Sequence, residues 1–195
     1  MNDLPRALIF DCDGTLLLTA DIHFTAISTA LDNQGVTIEK DWYLRQSGLS
    51  RLDLVKKVAL ETGAVLDVAR FCRESIGATV ALAHCARPNP PVVALARDRS
   101  NSMPKALATN SELPIVTAFL HATRLSECFD VVVTREDVSQ PKPHPAIFLL
   151  AARQLGIDPQ HCLVFEDSPE GLAAADSAGM KSIDVNNTDI FRNSD

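Results

Sequence analysis

From residue 105 onward, short apolar runs take turns with longer amphipathic stretches, and few architectures accept that rhythm. Residues 105–108, 131–134, 162–165 and 182–185 are short, apolar or β-branched, and bounded by polar turn residues. A matching run lies at 7–10, near the N-terminus. They read as strands buried on both faces. Between the last four strands, residues 113–125, 145–155 and 169–178 carry apolar positions three and four apart, the spacing of helices with one buried face. Strand and helix in alternation predict a parallel sheet with right-handed crossovers, hence a three-layer α/β/α, Rossmann-like core.

The interval between the first strand and the second breaks the rhythm. Residues 17–87 show no strand pattern but helical periodicity at 22–34, 52–62 and 65–86. Seventy residues are too many for a crossover. We therefore expect an inserted helical domain at 17–87, with the α/β core formed by 1–16 and 88–195. The stiff stretch RPNPP at 87–91 closes the insertion before a helix near 92–99.

Charge and cysteine content narrow the function classes. With 18 Lys and Arg against 25 Asp and Glu, a net charge of −7 and no basic run, the surface repels nucleic acid and anionic lipid. No signal peptide or membrane-spanning run is legible, which leads us to expect a cytoplasmic protein. Five cysteines without a C-x-x-C spacing suggest neither a disulfide framework nor a zinc knuckle. Cys12 is expected to point away from Asp11 and Asp13, because strand side chains alternate.

Chemistry gathers where the strands end. The first strand runs into FDCDGT, placing Asp11 and Asp13 side by side at a carboxyl edge, where open α/β sheets bind ligands. Like charges so close call for a hard divalent cation. Taken alone, the string also fits a calcium-loop fragment or a polar turn. The second strand ends in LATNS, where Thr109, Asn110 and Ser111 precede a helix N-terminus suited to phosphate. Thr109 is the better functional candidate, and Ser111 reads equally well as a helix cap. After the third strand, QPKPHP holds Lys142 between two prolines, a pinned ammonium able to neutralise phosphate oxygens. His144 reads as an exposed loop residue. The fourth ends in VFEDS, where alternation sends Glu166 and Asp167 opposite ways. Asp167 is expected to reach the metal directly and Glu166 through water or a second shell. The Gly171–Gly179 segment reads as a small-residue helix face that packs on the sheet.

In this order the four motifs FDCDGT, LATNS, QPKPHP and VFEDSPEG resemble those of the haloacid dehalogenase superfamily, and the likeness extends over nearly the whole chain. The nearest likeness is to its β-phosphoglucomutase-like branch, which includes sugar-phosphate phosphatases. The resemblance implies an inserted helical cap, Mg²⁺ as cofactor, Asp11 as nucleophile forming an aspartyl-phosphate and Asp13 as general acid and base. It further implies phosphate binding by Thr109 and Lys142, and a metal held by Asp11, Asp167 and the Asp13 carbonyl. The acid at position 13 argues against dehalogenation.

In the cap the resemblance points to Thr19 as a hinge residue, to His23 near the site and to the loop GLSR at 48–51, with Arg51 reading the sugar or its distal phosphate. Leu18 stands where the branch commonly has Asp. The same residues also permit plainer readings: His23 packed on a helix face, Arg51 capping a helix or pairing with Asp53, and Trp42 and Tyr43 as cap core. We expect a Mg²⁺-dependent phosphatase acting on a small phosphorylated metabolite, as a monomer or weak homodimer, without nucleic-acid or membrane partners. The alternatives are a β-phosphoglucomutase-type phosphotransferase and, from another class, a receiver-like signalling module.

Overall fold

A computed structural model describes residues 4–46, 49–100 and 102–187. Its five-stranded sheet is parallel throughout, in the order β5-β4-β1-β6-β7, where β1 is Ala7–Phe10, β4 Lys105–Ala108, β5 Val131–Val133, β6 Cys162–Glu166 and β7 Lys181–Asp184. The strands lie within a residue or so of their expected places. β1 is central, flanked by β4 on one side and β6 on the other, so the sheet divides at its carboxyl edge between Asp11 and the loops after β4 and β6. Open α/β sheets offer their ligand crevice at such a division.

Strand alternation sorts the core into two unlike halves. Leu8, Phe10, Leu107 and Phe165 face α5 (Pro90–Arg97) and α6 (Leu113–Thr123), which contribute Val92, Ile115 and Phe119. Phe10 stacks on Phe165 at 4.8 Å between ring centroids. On the other face Ala7, Ile9, Ala106 and Ala108 meet α7 (Ala146–Leu155) and α8 (Pro169–Ser177) through Ala151, Ala152, Ala174 and Ala175. Small residues on both sides of this contact leave room for close packing. Each fully buried Phe or Ile on the opposite face contributes about 1.5–3 kcal/mol.

The inserted segment builds its own core. Helices α1 (Ala20–Asp32), α2 (Lys40–Leu44), α3 (Arg51–Thr62) and α4 (Val68–Ala81) enclose Ile27, Leu31, Leu54, Val55, Val58 and Phe71. Ser50 and Asp67 cap α3 and α4 by accepting from the backbone N–H three residues on, and Gly63 ends α3 in a left-handed conformation. One difference from expectation lies at the junction. The interval does contain strand: β2 (Leu17–Leu18) pairs antiparallel with β3 (Arg87–Pro88), making a two-stranded ribbon where the cap leaves and rejoins the core. Two-residue strands are too short to show a period of two, which hid them in the sequence. Among the described residues no helix is long and apolar enough to cross a membrane.

Candidate active site

The loops after β1, β4, β5 and β6 converge on a cavity of about 920 Å³ lined by Asp11, Asp13, Thr109, Lys142, Glu166 and Asp167 together with cap residues His23, Tyr43 and Arg51. At its floor the Lys142 ammonium lies 2.6 Å from Asp11 Oδ1 and 2.7 Å from Glu166 Oε1. The Phe148 ring lies 4.7 Å beneath the same nitrogen. Burial lowers the affinity of Lys142 for its proton, but the charges of Asp11 and Glu166 outweigh it and hold the pKa above its usual value. Asn110 fixes the lysine loop from the side, its Oδ1 accepting from Lys142 N–H and its Nδ2 donating to Lys142 C=O. The Asn110 amide is thus committed to the protein, and any contact it makes with phosphate falls to its backbone.

Glu166 is 1% exposed and fully occupied: beyond Lys142, it accepts from the N–H groups of Asp167 and Ser168 and from the Ser168 hydroxyl. Gly171 makes this possible, because a Cβ there would overlap the Glu166 carboxylate. The segment expected to serve packing alone therefore also shapes the site. Gly14 does the same for Asp167: it adopts φ of +87°, and a Cβ on it would collide with the Asp167 carboxylate. Thr15, buried beside it, donates to Asp167 Oδ1 at 2.9 Å.

Asp11, Glu166 and Asp167 each offer a carboxylate oxygen within 4.8 Å of the others. Burial pushes the Asp11 carboxyl well up, and Lys142 pulls it only part of the way back, with Glu166 and Asp167 adding repulsion. Burial and then the Glu166 charge raise Asp167 to about 6. A set of oxygen-only donors, acids crowded against their own repulsion, fits a hard divalent cation. Asp11 and Asp167 are the two that retain oxygens free of a lysine or backbone partner among the described residues.

Asp13 belongs to the cap side. Its Oδ1 takes hydrogen bonds from Thr19 (2.6 Å) and from His23 Nε2 (2.7 Å), and its Oδ2 accepts from Ser111 (2.5 Å). Burial alone raises the Asp13 carboxyl, but His23, Ser111 and Thr19 outweigh it and hold the group well below the usual carboxylate range. Thr19 precedes α1 yet caps nothing, its hydroxyl being spent on Asp13. Arg51 Nη2 sits 3.1 Å from His23 Nδ1; since guanidinium only donates, Nε2 carries the imidazole hydrogen that reaches Asp13. Arg51 Nε lies 3.1 and 3.2 Å from the two oxygens of Glu112, a cap-to-core ion pair. Asp53, one of the partners the sequence allowed for Arg51, is instead bonded to Ser50.

Asp11, Asp13, His23, Arg51, Thr109, Asn110, Lys142, Glu166 and Asp167 line this cavity, and Thr19 reaches it through its bond to Asp13. Thr109 is 2% exposed, its hydroxyl accepting from Ser111 N–H. Cys12 is fully buried in the hydrophobic core, where burial and the nearby charges of Asp13 and Asp11 push its thiol pKa well up. His144 lines the mouth of the cavity. Of the loop at 48–51, Gly48 lies outside the described residues. Ser111 is not the cap of α6, a place taken by Glu112, and serves Asp13 instead. The bond of Thr15 to Asp167, the fit of Gly171 against Glu166 and the pairing of Glu112 with Arg51 were not legible in the sequence, because each involves a partner that only folding brings near. Tyr43, read as cap core rather than a sugar-stacking platform, packs on the cap core and also lines the cavity. Burial pushes the Tyr43 phenol up to about 12.

Comparison with known proteins agrees with this geometry. A family model of haloacid dehalogenase-like hydrolases matches residues 5–179. The fructose-1-phosphate phosphatase YqaB of Escherichia coli is 33% identical over 185 residues, covering 95% of this chain and 98% of that protein. The phosphorylated carbohydrates phosphatase of Thermotoga maritima is 29% identical, covering 91% and 83%. Among solved structures, CbbY of Rhodobacter sphaeroides in complex with phosphate superposes with a TM-score of 0.85 at 27% identity, over 92% of this chain and 85% of that one. With a parallel sheet, an inserted helical cap and acidic, hydroxyl and lysine side chains at successive strand ends, the chain belongs to the haloacid dehalogenase-like hydrolases.

Proposed function

We propose that this hydrolase is a Mg²⁺-dependent phosphatase that cleaves a small sugar phosphate through an aspartyl-phosphate on Asp11. The observation that carries the reading is the Lys142 ammonium held against Asp11 beside Asp167, with Thr109 in the same cavity. Asp11, Asp167 and the Asp13 carbonyl would hold Mg²⁺, with Glu166 behind them; when bound, the ion supplies positive charge that keeps Asp11 ionised and screens the phosphate. Asp11 attacks phosphorus as the ester P–O bond breaks, while Lys142 and the Thr109 hydroxyl hold the phosphoryl oxygens. Water then attacks the aspartyl-phosphate, releasing phosphate and restoring the carboxylate.

Asp13 moves the protons. In the ligand-free site its three donors keep it ionised, a base at rest. An incoming phosphate, a like charge, drives its pKa back up and lets it carry the proton that the departing alkoxide takes. In the second step it accepts a proton from the attacking water. The cap closes over these events and excludes bulk water. The names of the similar phosphatases support carbohydrate phosphates as the substrate class. Five cysteines without a disulfide suit the reducing cytoplasm.

A panel of phosphorylated sugars, nucleotides and acids assayed for phosphate release tests this reading. Release is expected with Mg²⁺, to vanish in EDTA, and to fall to background in Asp11→Asn. Ordinary turnover by Asp11→Asn would overturn it.

A further inference from the structure

The cavity is lined by three Lys or Arg side chains among the described residues: Lys142, Arg51 and Arg135. Lys142 is neutralised by Asp11 and Glu166. Arg135 donates to the Val138 carbonyl from the loop after β5. Arg51, with its side chain 8% exposed, spends Nε on Glu112 and Nη2 on His23 and Thr79. Its remaining nitrogen, Nη1, is buried without a hydrogen-bond partner. An unmet donor on a buried cation costs free energy. Arg51, the cap cation that lines the cavity, therefore brings no unpaired charge to it.

Two kinds of substrate tail would meet this arrangement differently. A hydroxyl needs no counter-charge, so it can lie beside Arg51 while the Arg51–Glu112 pair stays intact. A second phosphate needs the positive charge that Glu112 already cancels, and it would also place a dianion beside a carboxylate whose side chain is only 21% exposed. Displacing Glu112 would strand a part-buried acid, and leaving it in place sets like charges together. Glu112 comes from the loop before α6 while Arg51 opens α3, so the discrimination exists only when cap and core meet.

We infer that Glu112 is a specificity-determining residue: by pairing Arg51 across the cap-core boundary it selects esters bearing one phosphate and an uncharged, hydroxylated far end, and rejects bisphosphates. The inference rests on the phosphatase reading above and names the class within it. Its plain competitor is a clasp that merely holds the cap shut. A clasp, once weakened, slows both kinds of substrate alike.

The experiment compares kcat/KM for fructose 1-phosphate and fructose 1,6-bisphosphate in excess Mg²⁺. The wild type is expected to favour the monophosphate at least tenfold. In Glu112→Gln the ratio should move at least tenfold toward the bisphosphate, and adding Arg51→Gln should erase that gain. A ratio unchanged by Glu112→Gln, or a wild type that prefers the bisphosphate, overturns the inference. Failure of the wild type to release phosphate from either sugar or from p-nitrophenyl phosphate would instead sink the phosphatase reading. In that event calorimetric titration of the same two sugars into Asp11→Asn, with and without Glu112→Gln, still decides whether Glu112 excludes the second phosphate.

Discussion

Lys142 and Arg51 are both buried cations in one cavity, yet they are held in opposite ways. Lys142 sits between two acids that are themselves buried, with side-chain exposures of 8% for Asp11 and 1% for Glu166, all three belonging to the α/β core at the strand ends. Arg51 spans two folding units, meets a single acid that water still reaches, and keeps one nitrogen unmet. The contrast separates chemistry from selection. On the proposed reading, Lys142, Asp11 and Glu166, at the phosphorus, are locked by contacts within the core, whereas Arg51, at the rest of the substrate, depends on how the cap meets the core.

The largest expected effect breaks the core side of the contrast. Lys142→Met leaves Asp11 and Glu166 facing each other unpaired, which should cost about 3–5 kcal/mol of stability and lower kcat by about 10²-fold or more. Denaturant titration and phosphate-release kinetics measure the two losses. Arg51→Met should cost less, about 1–3 kcal/mol, because water still reaches its acid partner while its bonds to His23 and Thr79 are lost. Equal stability losses at the two positions would erase the distinction.

Next in size is Gly171→Ala. The new methyl meets the Glu166 carboxylate, a side-chain end that would yield easily were it not fixed by four donors. A loss of about 1–3 kcal/mol is expected together with reduced activity. In the cap, Gly77→Ala lies in open space within α4 and should gain about 0.5–1 kcal/mol. Thermal unfolding of the pair measures how differently core and cap tolerate one added methyl.

A smaller effect follows from Asp167. Its carboxyl, at about 6 in the fold against 3.8 ordinarily, binds its proton more tightly folded than unfolded. Between those values the folded state holds more protons, so its contribution makes stability fall as pH rises from about 4 to 6. Metal-free protein should therefore gain melting temperature on Asp167→Asn at pH 7 but little at pH 4. Mg²⁺ affinity should weaken below pH 6, where the proton competes for Asp167; calorimetry at pH 5 and 7 checks it. An affinity that does not change across that range would remove Asp167 from the metal site.

Legibility in the sequence followed the range of the contacts involved. Strand ends were readable because a short apolar run stops at a polar residue that must leave the sheet, as at Asp11, Thr109 and Asp167. Asp13 was legible as an acid two residues from Asp11, but not as a cap-facing group held by Thr19, His23 and Ser111. Lys142 was singled out by its flanking prolines, though its double pairing depends on Glu166, 24 residues on. Gly171 looked like helix packing because a missing side chain leaves no trace of what occupies its space.

The order of strands and helices, the interruption that makes a cap, and the residue types at each strand end were determined by the sequence alone, since each is written in the spacing of neighbouring side chains. Only the tertiary structure decided that Arg51 takes Glu112, 61 residues away, over nearby Asp53, and that Ser111 serves Asp13 rather than a helix end. The reason is geometric: periodicity specifies which face of an element is buried, while the pairing of polar groups across two bodies depends on how those bodies meet.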